Sequence, residues 1–176
     1  MRKNPITLIT LLLLTCSVRS QTVYLKSGNI SPEKNINASS IERFNTQLSK
    51  NAAPELFIIQ FSNLPATATR QALATNGIVL EEYIPDQAWL ASIRNLPAAD
   101  ALLQWGVQAL LPCSPAMKML PALYQGRFPA HAVKIPGTVD LWINWVPSYT
   151  FEQVSRLLRE KNFDIISSQF RTQQVL

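Results

Sequence analysis

The spacing of hydrophobic and polar residues switches several times between strand-like and helix-like through the middle of the chain. Leu56 to Phe61 is a dense run of β-branched and aromatic residues, which predicts a buried strand. The next segment has one apolar helical face, and Asn76-Gly77 ends it because glycine suits the position after a helix. Ile78 to Ile84 and Ala88 to Ile93 then predict two strands. Pro85-Asp86-Gln87 supplies the turn between them.

A second helix and strand complete this pattern. Leu96 to Trp105 predicts a helix with Leu102 and Leu103 facing inward, and Val107 to Leu111 predicts the last strand. The order is β-α-β-β-α-β. Two β-α-β units that share a central hairpin form an antiparallel sheet with both helices on one face. The expected fold class is α+β and ferredoxin-like, and the other face of the sheet is expected to stay bare.

Weaker patterns flank this unit. Gln21 to Lys26 alternates and predicts a short strand that stops at Ser27-Gly28-Asn29. Ser39 and Glu42 form a possible capping box, which Arg43 to Lys50 follows as a polar helix or a linker.

A further partial β-α-β unit is predicted near the end of the sequence. Val139 to Val146 alternates as a strand, and Phe163 to Phe170 predicts another. Between them Thr150, with Gln153 three residues later, is a suitable N-cap for an amphipathic helix. The second half of a ferredoxin-like unit does not follow, which indicates a partial domain or a truncated gene.

The first residues have the layout of a secretory signal peptide. Arg2 and Lys3 are positive, and Ile6 to Leu14 is an apolar run too short to span a bilayer. Cleavage is predicted between Ser20 and Gln21. The protein is therefore expected to be exported to the periplasm or the medium, without stable insertion in the membrane.

Composition and charge exclude several classes of function. Hydrophobic residues make up 47% and charged residues 15%, which favours a packed core over disorder. Loss of Arg2, Lys3 and Arg19 with the leader lowers the formal net charge from +5 to +2, and the other basic residues are scattered. No nucleic-acid partner is expected. Cys16 in the leader allows a lipoprotein anchor as a minor alternative, and Cys113 remains as a single thiol.

No catalytic constellation emerges from the residues. His131 is the single imidazole and lies in a segment rich in proline and glycine. Glu81 and Glu82 are neighbours on a strand and would point to opposite faces. Cys113 with His131 leaves a thiol enzyme conceivable, although an unreactive thiol is the simpler interpretation. No metal site, cofactor site or enzymatic activity is expected.

The aromatic residues have two interpretations. Trp142 and Trp145 lie on a segment that is apolar on both sides. It could be covered on both sides by the protein itself or could present one side to a partner. Tyr83 and Trp89 lie on the central hairpin and have the same two interpretations.

The amino-acid sequence from Leu56 to Ile93 also resembles a known family. They are similar to the inhibitor-type prodomain that precedes exported bacterial subtilisin-like serine proteases, in particular the fervidolysin-like variety. Tyr24 to Gly28 resembles the mature start of such precursors. The similar elements are Gln60-Phe61, Asn76-Gly77-Ile78, Tyr83-Ile84-Pro85 and Ala88-Trp89-Leu90.

The resemblance implies a function and a partner. In that family the bare face of the sheet docks on the protease, assists its folding and inhibits it temporarily. A non-catalytic module that binds a subtilisin-like serine protease, in the same precursor or as a separate chain, is therefore expected. Tyr83, Trp89, Glu82 and Asp86 are its candidate contact residues. The alternative is an exported domain, from a truncated or stand-alone gene, that binds a partner other than a protease. The expected domains are the leader (1–20), an N-terminal extension (21–54), the ferredoxin-like unit (55–115), a linker (116–137) and the partial unit (138–176).

Overall fold

A computed structural model describes residues 22–25, 27–51 and 53–176. The predicted leader with Cys16, and the predicted cleavage point between Ser20 and Gln21, lie outside the described residues. The regular elements are β1 (Val23–Leu25), β2 (Gly28–Ile30), α1 (Ala38–Leu48), β3 (Glu55–Phe61), α2 (Thr67–Thr75), β4 (Ile78–Ile84), β5 (Ala88–Ile93), α3 (Ala99–Gln104), β6 (Val107–Pro112), α4 (Pro121–Tyr124) and α5 (Phe151–Glu160).

The main sheet has four strands in the order β4-β5-β3-β6, and every neighbouring pair is antiparallel. This order arises when two β-α-β units interlock around the β4–β5 hairpin. The structure therefore confirms the predicted α+β class with a ferredoxin-like arrangement. The predicted bounds of β4 and β5 are those of the structure.

The core lies between one face of this sheet and the helices, and we call that side the helix face. Phe57 and Ile59 of β3 are fully buried there against Leu73 of α2 and Leu102 of α3. Both crossover helices thus cover the same face, as predicted. Leu103 was expected to face inward but is 52% exposed. In a helix as short as α3 one turn meets the sheet, and Leu102 fills that position.

Helix α1 belongs to the same core. Its residues Ile41, Phe44 and Leu48 are buried, and the ring of Phe44 meets that of Phe57 edge-on at 5.6 Å. The helix begins earlier than predicted, because the side chain of Asn37 and not that of Ser39 accepts the capping hydrogen bond, from Ser40 N at 2.9 Å. The chain before β3 is therefore packed on the sheet and is more than an extension.

Two asparagine side chains attach this N-terminal part to distant backbone. Asn45 of α1 donates to Leu96 O at 2.9 Å and accepts from Leu96 N at 2.8 Å. Asn35 forms the same pair of bonds with Leu110 of β6, at 2.6 and 2.9 Å. Leu110 lies on an edge strand, so Asn35 satisfies backbone groups that would otherwise face outward.

The first strand pairs in a small hairpin. Val23 of β1 opposes Ile30 of β2 in a two-stranded antiparallel sheet. The predicted strand is confirmed, but Gly28 and Asn29 do not simply end it. They form the second strand, because the chain reverses at once and gives β1 a partner.

The predicted partial β-α-β unit is wrong in its strands and right in its helix. Helix α5 begins after Thr150, which forms the expected capping box with Gln153. Val139 to Val146 and Phe163 to Phe170 form no strands. A strand needs a neighbouring ladder, and within the described residues the first segment forms a single isolated bridge, from Asn144 to Val175.

Candidate partner-binding surface

The face of the sheet opposite the helices is the surface on which the resemblance implies docking, and we call it the outer face. Alternation along the strands assigns its residues, because neighbours of Phe57 and Ile59 point the other way. Its centre is apolar, with Ile58 opposite Leu90 and Leu111 in the two flanking strands. The outer face comprises Leu56, Ile58, Gln60, Val79, Glu82, Ile84, Ala88, Leu90, Ser92, Ala109 and Leu111.

The outer face is not bare, which corrects the sequence-based expectation. Val23 of β1 is fully buried in a cluster with Ile58 and Ala88, at the end of the sheet where β4 turns into β5. Burial of this apolar surface against the protein's own chain is favourable because it removes the surface from water. The part that stays accessible lies towards edge strand β4, where Val79 is 40% exposed and Glu82 is exposed.

The two hairpin aromatics lie on the other side of the sheet. Trp89 opposes Ile59 in register and is partly buried against the helix-face core. Tyr83 opposes Trp89 in β4, and their rings meet edge-on at 5.5 Å. Tyr83 is 46% exposed, so it forms surface at the rim of the helix face. Tyr83 and Trp89 therefore do not lie on the outer face, the surface on which the resemblance implies docking.

The two candidate acidic residues of the hairpin have different positions. Glu82 opposes Leu90 on the outer face, next to a bulge that interrupts β4 after Leu80. Asp86 lies in the turn, with a φ of 66°, and Gln87 follows with a φ of 62°. Aspartate tolerates this left-handed conformation better than most residues. The structure thus separates the four candidate residues between two faces and a turn.

A segment from the C-terminal part of the chain crosses the outer face. We call residues 144–158 the cover. Ser92, a buried hydroxyl on the outer face, donates to Glu81 Oε1 at 2.5 Å and lies 2.9 Å from the hydroxyl of Ser148 in the cover. Ser148 also contacts Glu81 Oε1. One carboxylate oxygen and two hydroxyls therefore join the cover to β4 and β5.

A second contact fixes the cover at the start of β3. The phenol of Tyr149 donates to Pro54 O. Burial raises the pKa of Tyr149, and the positive charge of Arg94 partly opposes this. Beneath the cover an open cleft of about 480 Å³ remains, lined by residues that include Leu56, Cys113, Trp145 and Leu157. The cover is thus joined at defined points and packs incompletely between them.

The geometry gives the candidate nucleophile no activation. Burial raises the pKa of the Cys113 thiol from 9.0 to about 11, although the nearby charge of Lys118 opposes this shift. A reactive thiol needs a lowered pKa. His131 is exposed in a short 3-10 turn, Ala130–Ala132. Within residues 22–25, 27–51 and 53–176, no three His, Cys, Asp or Glu side chains come together as a metal site.

Sequence reasoning missed the residues that attach the cover to the sheet. Ser92 gave a weak signal, since it is a polar residue in the apolar strand AWLASI. Ser148 and Tyr149 gave none, because their partners Glu81 and Pro54 are far away in the sequence.

Within the described part of the chain, no helix has the length and apolarity needed to cross a membrane.

Comparison with protein families assigns the chain to one of them. Residues 24–114 match the family described as Domain of unknown function (DUF8729), which is more than half of the chain. The chain belongs to the DUF8729 family. The DUF8729 match includes β2, α1 and the whole four-stranded sheet, and it begins within β1 at Tyr24. It ends before the cover begins. No curated protein and no solved structure matches the chain.

Proposed function

We propose that this protein is an exported, non-catalytic binding module whose partner is a subtilisin-like serine protease, which it helps to fold and temporarily inhibits. The observation that carries the proposal is the sheet in the order β4-β5-β3-β6 with both crossover helices on one face. This is the arrangement expected of the prodomains that Leu56 to Ile93 resembles. The DUF8729 match neither names a partner nor contradicts this one.

The accessible part of the outer face supports a protein partner. Val79 and Glu82 lie exposed beside Leu90, which gives an apolar patch with a charged edge. Interfaces between proteins commonly combine an apolar centre with a polar rim. The raised pKa of Cys113 and the exposed position of His131 support a non-catalytic role.

Inhibition kinetics test the proposal. The purified chain is titrated against a bacterial subtilisin-like protease that cleaves a chromogenic peptide. We expect inhibition that develops slowly and leaves an intact complex on gel filtration. Val79→Arg places a charge on the outer face and should weaken inhibition about tenfold or more, as truncation of a central contact does. Leu64→Arg changes a residue that is 60% exposed in the loop before α2, and should leave inhibition unchanged.

Three results would contradict the proposal in whole or in part. One is the absence of both inhibition and complex with every subtilisin-like protease tried. Another is an equal loss for Val79→Arg and Leu64→Arg, because that would place the binding surface elsewhere. Measurable peptide hydrolysis by the chain itself, lost on a single substitution, would overturn the non-catalytic role.

A specific observation favours the second candidate function, an exported domain that binds a partner other than a protease. The C-terminal region exposes large apolar side chains around a groove of about 440 Å³, including Trp142, which is 76% exposed and stacks on Phe170 at 5.7 Å. An apolar area of this kind is typical of a binding surface. Capture of a partner that Trp142→Ala abolishes and Val79→Arg preserves would support this candidate over the protease.

A further inference from the structure

The cover occupies part of the surface that the proposed partner would use. Ser148 lies on Ser92 of the outer face, and the cleft beneath the cover is lined by Leu56 of the same face. A protease that docks on this part of the outer face would meet the cover there. The two cannot occupy this area together.

The attachment of the cover is limited. Among the described residues, its polar contacts to the sheet and to the residue before β3 are those of Ser148 with Ser92 and Glu81, and that of Tyr149 with Pro54 O. Its helix α5 buries Val154, whereas Leu157, which lines the cleft, is 42% exposed. Hydrogen bonds of this kind each shift an equilibrium only about fivefold, so a few of them hold a segment that can still open.

The cover is also separate from the family unit. The DUF8729 match contains the whole sheet and ends at residue 114, whereas the cover starts at residue 144. Helix α1 and the asparagine contacts to Leu96 and Leu110 lie within the matched range. The sheet thus has its own supports, and the cover is an addition to its outer face.

We propose that the cover is an autoinhibitory latch, which must leave the outer face before the partner docks fully. This inference rests on the proposed function for the identity of the partner. The opening itself is a property of this chain and can be measured without one. Ser148 and Tyr149 are its positioning residues, and their contacts set the fraction of open molecules.

The chain contains a reporter for this opening. Cys113 lines the cleft beneath the cover, and Cys16 is the other cysteine of the sequence. In the full chain carrying Cys16→Ser, alkylation by N-ethylmaleimide reports Cys113 alone. The closed form should react slowly because its thiol is partly buried and its raised pKa keeps it protonated at neutral pH. Cys113 also packs on the cluster of Val23, Ile58 and Ala88, so opening removes the part of its burial that the cover supplies. The alkylation rate should therefore rise with the open population.

Two latch variants and a matched control make the first test. Ser148→Val and Tyr149→Phe should each increase the alkylation rate about five- to tenfold, which corresponds to the loss of one or two hydrogen bonds. Ser167→Val alters an exposed serine of the same region and should leave the rate unchanged. Rates within twofold of the parent in both latch variants would overturn the latch. Equal unfolding midpoints by circular dichroism will show that the sheet itself has not loosened.

A reversible lock tests the competition with the partner. Ser92 and Ser148 are in direct contact, so Ser92→Cys with Ser148→Cys, in a background of Cys16→Ser and Cys113→Ser, can form a disulfide across the latch. The oxidised protein should inhibit the protease at least about tenfold more weakly than the same protein after reduction. The background without the two new cysteines controls for the effect of the reductant on the protease.

The outcomes separate the two proposals. Faster alkylation with inhibition that depends on the lock supports the latch. Equal inhibition by the oxidised and reduced forms overturns it, even where the cover opens. Inhibition by neither form, nor by the unmodified chain, overturns the proposed function and the competition with it. The alkylation rates then still decide whether the cover opens.

Discussion

The DUF8729 unit and the chain after it use similar hydrophobic patterns with different results. In residues 24–114 the apolar runs become strands with partners, and Phe57, Leu73 and Leu102 are fully buried. In residues 115–176, all of which are described, only Val154 and Ser155 are buried. Trp142 and Ile166 are about three-quarters exposed there. An apolar pattern forms a core only where another element closes over it.

The two regions differ in the number of neighbouring strands and helices that each apolar segment can pack against. Strand β3 has β5 on one side and β6 on the other, with the helices behind it. The extended segment at Val139 to Val146 meets three residues at the end of the chain, through Ile143 with Leu176 and Trp145 with Gln174. Its alternation is real, since Ile143 and Trp145 are half-buried and Trp142 and Asn144 are exposed. In the part of the chain that the structure describes, this segment has no second long strand beside it, so it forms no sheet there.

The largest effect should come from the core of the first region. Phe57→Ala removes a fully buried ring that packs on Phe44, and should lower the free energy of unfolding by about 3–5 kcal/mol. Phe163→Ala changes a phenylalanine of the second region that is 44% exposed, and should cost less than about 1 kcal/mol. Urea unfolding followed by circular dichroism measures both. Similar losses would show that the two regions are equally packed.

A pH effect should come from the junction of the two regions, at Cys113. Its pKa is about 11 in the folded chain and 9.0 as an ordinary thiol. Below pH 9 both states keep the proton and stability is unaffected. Between pH 9 and 11 the unfolded chain loses the proton first, so stability falls, by at most about 2.5 kcal/mol. The control is Cys113→Ala, which should lose less stability between pH 9 and 11. If stability falls equally with pH in the parent and in Cys113→Ala, the thiol is exposed to water in the folded chain and the prediction is wrong.

Asn45 tests how α1 is joined to the first region. Asn45→Ala removes both bonds to the backbone of Leu96 and should destabilise the fold by about 1–2 kcal/mol, after a small gain in helix propensity. Asn45→Asp keeps the acceptor for Leu96 N but loses the donor, so an intermediate loss is expected. Chemical denaturation measures the series. If Asn45→Asp is as stable as the parent, the stabilisation comes from the bond that Leu96 N donates, and the bond to Leu96 O contributes nothing.

These contacts mark the limit of what the sequence could predict. The strands from β3 to β6 follow from local period and turn residues, and the bounds of β4 and β5 agree with the structure. Asn45 with Leu96 and Ser148 with Glu81 join residues 51 and 67 positions apart, and no local pattern encodes such pairs. The expectation of a bare outer face failed for this reason. Tyr83 and Trp89 were assigned to the hairpin correctly, but their face depends on the register with β3.

The cap of α5 tests whether the second region unfolds separately. Thr150→Ala removes the hydroxyl that accepts from Gln153 N, and should cost the helix about 1 kcal/mol. Amide hydrogen exchange should become faster in α5, while the amides of β3 keep their protection. Thr150→Ser retains the capping oxygen and should exchange like the parent. Faster exchange in both regions would show that they unfold as one unit.

The smallest effect should come from the turn of the hairpin that joins the two β-α-β units. Gln87 has a φ of 62°, and its carbonyl accepts from Phe61 N at 2.9 Å, so β3 holds it in this conformation. A residue with a β-carbon is strained there, whereas glycine is not. Gln87→Gly should therefore raise the free energy of unfolding by about 0.5–1 kcal/mol.

Gln87→Ala separates the backbone from the side chain. It removes the amide but keeps the β-carbon, so it should bring no gain. Equal stabilisation by alanine and glycine would mean that the side chain of Gln87 opposes folding, and the turn would then carry no strain. Thermal unfolding of the three proteins side by side resolves a difference of this size, since 1 kcal/mol shifts the midpoint by a few degrees in a domain of this length. A gain seen with glycine alone would place the strain in the first region, where tight pairing of β3 with its neighbours leaves the turn no freedom to relax.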